Sequence, residues 1–424
     1  MILRLCYSGL FYLLTPFLFL RLYWRGRKVI GFRQRWLERL ALYSRSYSTV
    51  DIWFHAVSVG EVESIFPLIK QFQRQYPNYR LLITTTTPTA SIRIQTVLGN
   101  SIQHVYLPYD FPDANQRFLT QFRPQLAVMV ETEIWLNLYY QCRKYQIPIT
   151  IINARLSDRS YSAYRRLSNW IQPSLQAICE IACQTPIDAQ RFSHLTQTAQ
   201  IHVIGNLKFD VDPQQNLLEQ GSVFRQHYFP KRWIWIIAST HKNEETFFLK
   251  LYPQLKIQIP ELLLIIVPRN MERFSEVKQL CEEYQLSVIS RTSTQICAKQ
   301  TDIYLVDTIG ELKMFYATAD IAFVGGSLVN IGGHNVLEAS ALGIPVLFGH
   351  YMHNFQAIAD GLLAAEAAIQ CINTDQLFTA VLTLYQNSNY YQKIKQNGLK
   401  FVQQNQGATD KSIALLLKQL NHTV

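Results

Sequence analysis

From residue 51 onward, short runs of apolar and β-branched residues alternate with stretches of helical periodicity. In the first half these runs are DIWFH (51–55), RLLITTTT (80–87), HVYLP (104–108), LAVMVE (126–131), PITIINA (148–154), EIACQT (180–185) and IHVIGN (201–206). Their hydrophobicity is continuous rather than alternating, as in strands buried on both faces, and it predicts a parallel sheet covered by helices. A polar stretch, DVDPQQNLLEQGS from Asp210, breaks the pattern. It restarts with WIWIIAST (233–240), LLLIIVPR (262–269), SVIS (287–290), DIYLVD (302–307), DIAFVGG (320–326) and IPVLFG (344–349).

The second half thus repeats the architecture of the first, which predicts an α/β protein of two doubly wound, Rossmann-like domains facing a cleft. Two-domain sugar and nucleotide enzymes, among them glycosyltransferases of the GT-B type, have this arrangement. The expected divisions are 51–212 and 233–385 for the two domains, 213–232 for a linker and 386–424 for a helical tail able to cross back onto the first domain.

Residues 1–50 differ. An uncharged run from Leu5 to Leu20 is followed by a basic segment, and residues 1–50 hold nine Lys/Arg against one acid, Glu38. That is most of the formal net charge of +10, so the basic charge forms a collar rather than a groove, and nucleic-acid binding is disfavoured. At ~1.5 Å rise per residue the run spans roughly 24 Å, short of a ~30 Å hydrocarbon core. Residues 1–24 are expected to be a membrane anchor and 25–50 a juxtamembrane segment, with the body on the cytoplasmic side. Whether the anchor spans the bilayer or lies in its surface stays open. Seven scattered cysteines without a CxxC pair exclude a disulfide framework and familiar zinc spacings, and point to a reducing compartment.

Chemistry is expected beyond the carboxyl ends of the strands. In the second half these ends carry Ser239-Thr240-His241, Pro268-Arg269, Asp307-Thr308-Ile309-Gly310-Glu311 and Gly325-Gly326-Ser327. Six of the seventeen glycines fall in 325–350, where Gly332-Gly333-His334 precedes Asn335-Val336-Leu337-Glu338. Asn335 and Glu338 have capping-box spacing. Capping leaves the glycines before them unexplained, which favours a bare helix terminus facing a phosphate, with Glu338 on ribose hydroxyls. Arg269 suits a phosphate contact, while Glu311 also suits the start of a helix.

In the first half, Gly60-Glu61 follows the first strand, and Glu61 reads equally as a helix-N-terminal carboxylate or as a general base. Glu131 and Glu133 alternate at another strand end, so only one is expected to face the cleft, and Glu131 is nearer the apolar run. Lys208 precedes the polar break, where a cation can meet a carboxylate or phosphate. Arg155, Arg159, Arg165 and Arg166 read as a mixture of helix surface and anion contacts. Asp210 and Asp212 have DxD spacing but sit in the linker, and His350 and His353 lack a nearby third ligand, so no metal site is expected.

Taken together, HAVSVGEVES, LITTTTPTAS, HVYLPYDFPDA, ETEIWLN, NARLSDRS, GNLKFD, VPRN, DTIGEL and FVGGSLVNIGGHNVLEA resemble one family over nearly the whole chain: the 3-deoxy-D-manno-octulosonic acid (Kdo) transferases of lipopolysaccharide core assembly. The resemblance implies an inverting, metal-independent glycosyltransferase of the inner membrane, with no cofactor, CMP-Kdo as donor and a lipid A precursor as acceptor. It implies Glu61 as catalytic base, with Glu131 and Lys208 in transition-state stabilisation. Pro268, Arg269, Ile309, Gly310, Glu311, Asn335, Val336, Leu337 and Glu338 would contact the cytidine monophosphate. Val336 stands where the family often has proline and Ile309 where methionine is frequent. The collar would hold the enzyme to anionic lipids. Other readings are a GT-B transferase using a UDP-sugar and a catalytically silent nucleotide binder.

Overall fold

The computed structural model describes residues 2–28, 30–210 and 216–422. The chain divides into two compact units, Met1–Asp210 with Gln406–Val424, and Val211–Asn405.

The first unit is built on seven strands: β1 (Ile52–His55), β2 (Leu81–Thr85), β3 (Gln103–Tyr106), β4 (Leu126–Val130), β5 (Ile149–Ala154), β6 (Ile178–Cys183) and β7 (Gln200–Val203). They pair in parallel in the order β3-β2-β1-β4-β5-β6-β7. Every residue of β1, β2, β4 and β5 is buried, which is why their sequences carry no alternation. The turns into the following helices are specified locally. Ser58, Thr87, Ser157 and Thr185 each accept a hydrogen bond from the amide three residues on, and Pro88 and Pro186 occupy first helical turns. The order reverses direction between β1 and β4, so a crevice opens beyond their carboxyl ends.

The last helix, Ala408–His422, packs on this unit. The carboxylate of Asp210 fastens it by accepting from the amides of Gly407, at 2.7 Å, and Thr409. Asp210 is therefore a structural cap, and Asp212, its partner in the DxD pattern, lies outside the described residues. The expected tail is divided, since Ser388–Asn405 is a helix of the second unit.

The amino-terminal run does not make one rod. Ile2–Leu13 and Thr15–Lys28 are separate helices, and Pro16, which has no N–H to donate, stands at the break. No single helix among the described residues is long and apolar enough to cross a membrane. The pair Arg4–Leu13 and Thr15–Arg27, bent by 51°, together meets the length and composition of a broken span or re-entrant loop. One face docks on the first unit: Arg4 and Ser8 donate to Asn137 Oδ1 at 3.2 and 3.0 Å, and Tyr12 stacks on Phe111. Leu5, Leu10, Leu13, Phe17, Leu20 and Trp24 stay exposed. The basic collar is split. Arg35 binds the Glu38 carboxylate, and the buried Arg39 donates to Thr86 O, whereas Arg25 and Arg33 lie over the Phe32 and Tyr23 rings near the surface.

The second unit holds β8 (Trp233–Thr240), β9 (Leu262–Pro268), β10 (Val288–Ser290), β11 (Ile303–Leu305), β12 (Ile321–Val324), β13 (Val346–Phe348) and β14 (Ala368–Gln370). All pair in parallel, in the order β10-β11-β9-β8-β12-β13-β14, with the reversal between β8 and β12. The edge strand β14 was not expected: its three residues sit in the alanine-rich AAEAAIQ, which has no β-branched run.

Nor is 216–232 a free linker. Asn216–Tyr228 is a helix, and Arg225 grips both carboxylate oxygens of Asp320 at 3.0 and 2.8 Å. Arg232 is 6% exposed and donates to the carbonyls of Glu261, Ala298, Leu262 and Thr301 at 2.6–3.0 Å. A lysine has neither the reach nor the fork to serve four acceptors. Arg232→Lys is therefore expected to cost about 3 kcal/mol, seen as a lower denaturant midpoint at unchanged slope; a shift below a tenth of that would show the cluster to be unimportant.

Candidate active site

Glu61 opens the helix Val59–Gln75, directly after β1. Its amide is bound by Ser58 Oγ, and its carboxylate in turn accepts from Ser58 Oγ at 2.9 Å and from the Val57 amide at 2.7 Å. This reciprocal capping box holds the carboxyl group in one place, whatever else it does. Glu61 is 9% exposed. Burial, with the Glu131 charge adding to it, outweighs these hydrogen bonds and pushes its pKa up to about 7.

The expected alternation of Glu131 and Glu133 fails for a backbone reason. Glu131 follows β4 with φ at +62°, in the left-handed region, and the strand pleat ends there. Both side chains consequently reach the neighbourhood of Glu61: Glu131 acts on Glu61, and Glu133 rises to about 7 through burial first and the Glu61 charge second. Lys208 arrives from beyond β7. Asn153 Oδ1, at the end of β5, accepts from the Leu207 amide at 3.1 Å and folds the turn Leu207–Phe209 back over the sheet edge. Burial lowers the Lys208 pKa, opposed by the charges of Glu131 and Glu61 and assisted by Arg155. Among the four arginines of 155–166, only Arg155 enters this group; Arg159, Arg165 and Arg166 ride on a helix with no buried residue. Three carboxyl groups and one ammonium thus gather at the β1/β4 reversal. Glu133 was missed because a strict period of two was extended past the end of a strand.

In the second unit His241 and the 325–327 turn stand at the β8/β12 reversal, while Ile309, Gly310 and Glu311 follow β11, two strands away. Thr240 pairs with Pro268 in register, so the exposed Arg269 follows beside His241. The helices Leu312–Thr318 and Leu337–Ser340 pack together, which brings Ile309, Gly310 and Glu311 towards Asn335 and Glu338. Glu311 pairs with Arg291 at 3.0 Å and accepts from Thr308. Ile309 is exposed, and Gly310 has φ at +88° with open space where a Cβ would stand. Val336 and Leu337 are fully buried, backbone included. Glu338 is half-buried, and the Tyr316 pKa is raised by burial first and by the Glu338 charge second.

The glycine cluster has an internal explanation. A Cβ at Gly325 would stand 2.6 Å from Ser239 O, and one at Gly333, where φ is +72°, would collide with Met352. The helix after them is only four residues long, and Asn335 Oδ1 accepts from the Leu337 amide at 3.1 Å. Nor are the amides of the preceding loop bare. Glu244 accepts from the amides of Gly326 at 2.7 Å, Ser327 at 3.1 Å, Leu328 at 3.0 Å and His241 at 3.0 Å. An internal carboxylate therefore fills the amide nest at 326–328, a turn distinct from the helix terminus at Asn335 that the sequence suggested for a phosphate. The only sequence signal for it is the capping-like spacing of His241 and Glu244. Among the described residues no group of three or more His, Cys, Asp or Glu side chains is arranged to hold a metal ion; His350 packs on Tyr351, and His353 lies against Gly332.

Two parallel α/β units with polar groups at both order reversals define an architecture resembling the GT-B glycosyltransferases. Acinetobacter baumannii MurG superposes with a TM-score of 0.53 at 15% identity, covering 88% of this chain and 100% of that one. Residues 34–211 match the family model for 3-deoxy-D-manno-octulosonic-acid transferase. The 3-deoxy-D-manno-octulosonic acid transferase of Haemophilus influenzae is 35% identical, covering 99% of this chain and 100% of the relative. That of Rickettsia felis is 32% identical over 88% and 80%. The chain belongs to the Kdo transferase family and is a glycosyltransferase.

The raised Glu61 pKa has a measurable consequence for stability. Between the ordinary carboxyl value and about 7 the folded protein keeps a proton that the unfolded chain releases, so stability falls as pH rises through that window. Glu61→Gln is expected to flatten this fall, by up to about 1.4 kcal/mol per pH unit, in denaturant titrations at pH 5 and 7. Parallel curves for the two proteins would mean that Glu61 is ionised throughout.

Proposed function

We propose that the protein transfers Kdo from CMP-Kdo to a hydroxyl of a lipid A precursor, inverting the anomeric carbon and releasing CMP. The observation that carries this reading is the immobilised Glu61 carboxyl at the β1/β4 reversal, poised near neutrality. Its pKa of about 7 suits a general base, which takes the hydroxyl proton as the acceptor oxygen attacks the anomeric carbon and the bond from that carbon to the CMP phosphate oxygen breaks. A base matched to its working pH contributes ~10² to 10⁴ in rate.

In this mechanism the Glu131 carboxylate faces the positive charge that develops on the sugar, and the Lys208 ammonium meets an anionic carboxylate or phosphate of the substrate. Arg269 neutralises the departing phosphate, with Pro268, the turn Ile309–Glu311 and the segment 335–338 holding the nucleotide. No metal or cofactor is invoked. The docked amino-terminal helices, with their exposed apolar side chains and Arg25 and Arg33, support attachment to the cytoplasmic face of the inner membrane, beside an anionic lipid acceptor.

Mass spectrometry of a tetraacylated, bisphosphorylated lipid A precursor incubated with the protein and CMP-Kdo generated in place is expected to show added Kdo. Glu61→Gln keeps the acceptor oxygen of the cap, and should lose at least ~10²-fold in transfer while CMP affinity stays within twofold. An unmodified acceptor beside an active control transferase would sink the donor or the acceptor assignment, and near-normal transfer by Glu61→Gln would sink the base. Glu131→Gln removes the like charge that acts on Glu61, so the acid-side rise of the pH–rate curve should move to lower pH. A curve that stays in place would show that Glu61 does not set it.

A further inference from the structure

Where β8 ends, His241 meets His334, which stands just past the glycine pair 332–333. The two Nε2 atoms are 2.8 Å apart and the ring planes are within 7° of parallel. A contact between two imidazole nitrogens requires one N–H, so a neutral pair shares a single bridging proton, with one ring donating and the other accepting. The pair rests on Gly326: a Cβ there would stand 3.2 Å from His334 Cδ2 and 3.4 Å from His241 Cδ2, and φ is +68°. Glu244 locks both supports, since it binds the His241 and Gly326 amides together. A glycine floor and a buried carboxylate thus hold two imidazoles in register at the order reversal of the second sheet.

The charges facing the pair are few. Arg273 and Glu245 act on His241, but they neutralise one another at 2.6 Å, with Glu276 also on Arg273. Glu244 is occupied by four amides. Arg269 acts on both histidines, and it is exposed with its side chain in none of the described ion pairs. Burial is the larger reason that both imidazoles are held neutral, His334 at about 3, and repulsion from Arg269 is the next. An anion bound at Arg269 would remove that second cause and supply an attraction in its place.

Resting on the donor assignment above, we propose that His241 and His334 form with Arg269 a phosphate-binding cluster that takes up a proton as the donor's phosphate binds. A protonated pair keeps its N–H···N bridge and presents the outer N–H groups as charge-assisted donors. Donor binding is then tighter at lower pH, and the cluster leaves the acceptor side untouched.

The test uses the full-length protein with histidine-selective ¹⁵N labelling, titrated from pH 5 to 8 alone and with CMP, cytidine or inorganic phosphate. CMP is expected to raise the His334 midpoint from about 3 into this range and cytidine to leave it in place. His334→Gln and His241→Gln should each weaken CMP about tenfold at pH 6 and flatten its pH dependence, with the acceptor KM unchanged. CMP binding with no movement of either midpoint overturns the cluster and leaves the donor assignment standing. No CMP binding, with inorganic phosphate still raising the midpoint, supports the cluster and removes the donor assignment. A midpoint that neither ligand moves overturns the cluster outright, as does an unchanged pH dependence of CMP affinity in both variants.

Discussion

A strand buried on both faces can carry no charge along its length, because an ion without a partner is not tolerated in an apolar layer. In β1, β4, β9 and β12 every position is buried and none is acidic or basic apart from His55, while the buried Glu180 of β6 is tolerated because His202, Lys418 and Gln419 bind it. Parallel pairing adds a second constraint: every strand leaves its sheet at the same edge. Charged and polar side chains are consequently expelled to one rim of each unit, and the reversal of strand order decides where on that rim two neighbouring turns diverge and leave space. Glu61, Glu131, His241 and the Gly325–Ser327 turn all stand at such points. Their grouping is thus a product of topology before it is a product of chemistry.

What the rim does with these groups depends on how firmly it holds them. Glu61 is held by two hydrogen bonds of a helix cap, so the same atoms that complete the helix also fix the carboxyl group. Glu244 shows the opposite outcome. Its carboxylate spans the turns after β8 and β12 and is consumed in doing so, leaving no amide of that turn for an outside anion. The distinction matters because glycine-rich turns are commonly read as phosphate sites. Here the glycines serve close passage of the chain against itself.

The sheets and the helix caps were legible because both are local consequences of sequence: continuous apolar runs for buried parallel strands, and Ser or Thr before a helical run for each cap. Glu61, Glu131 and Lys208 could be picked out one by one for the same reason. Their mutual influence could not, because Lys208 reaches its neighbours only through Asn153, some fifty residues earlier, and Glu133 only through a left-handed residue at Glu131. The segment 216–232 reads as a linker because its polar composition hides the anchors Arg225 and Arg232, whose side chains bind Asp320 and the Leu262 carbonyl far along the chain. The break at Pro16 was legible in principle, since proline in an apolar run is a sufficient cause, yet hydropathy alone passes over it.

The two rims also share an electrostatic condition. Burial drives Glu61 and Glu133 towards their uncharged acids, and burial together with Arg269 drives His241 and His334 towards uncharged imidazoles. Groups of opposite acid–base character are thereby kept close to neutral without a ligand, which limits the cost of crowding them. Each set responds to the charge of what binds. A cationic transition state beside the carboxyl groups favours their ionised form, and an anion beside Arg269 favours protonated imidazole. The two rims are thus tuned to charges of opposite sign, a property that each sheet acquires separately from its own burial and topology.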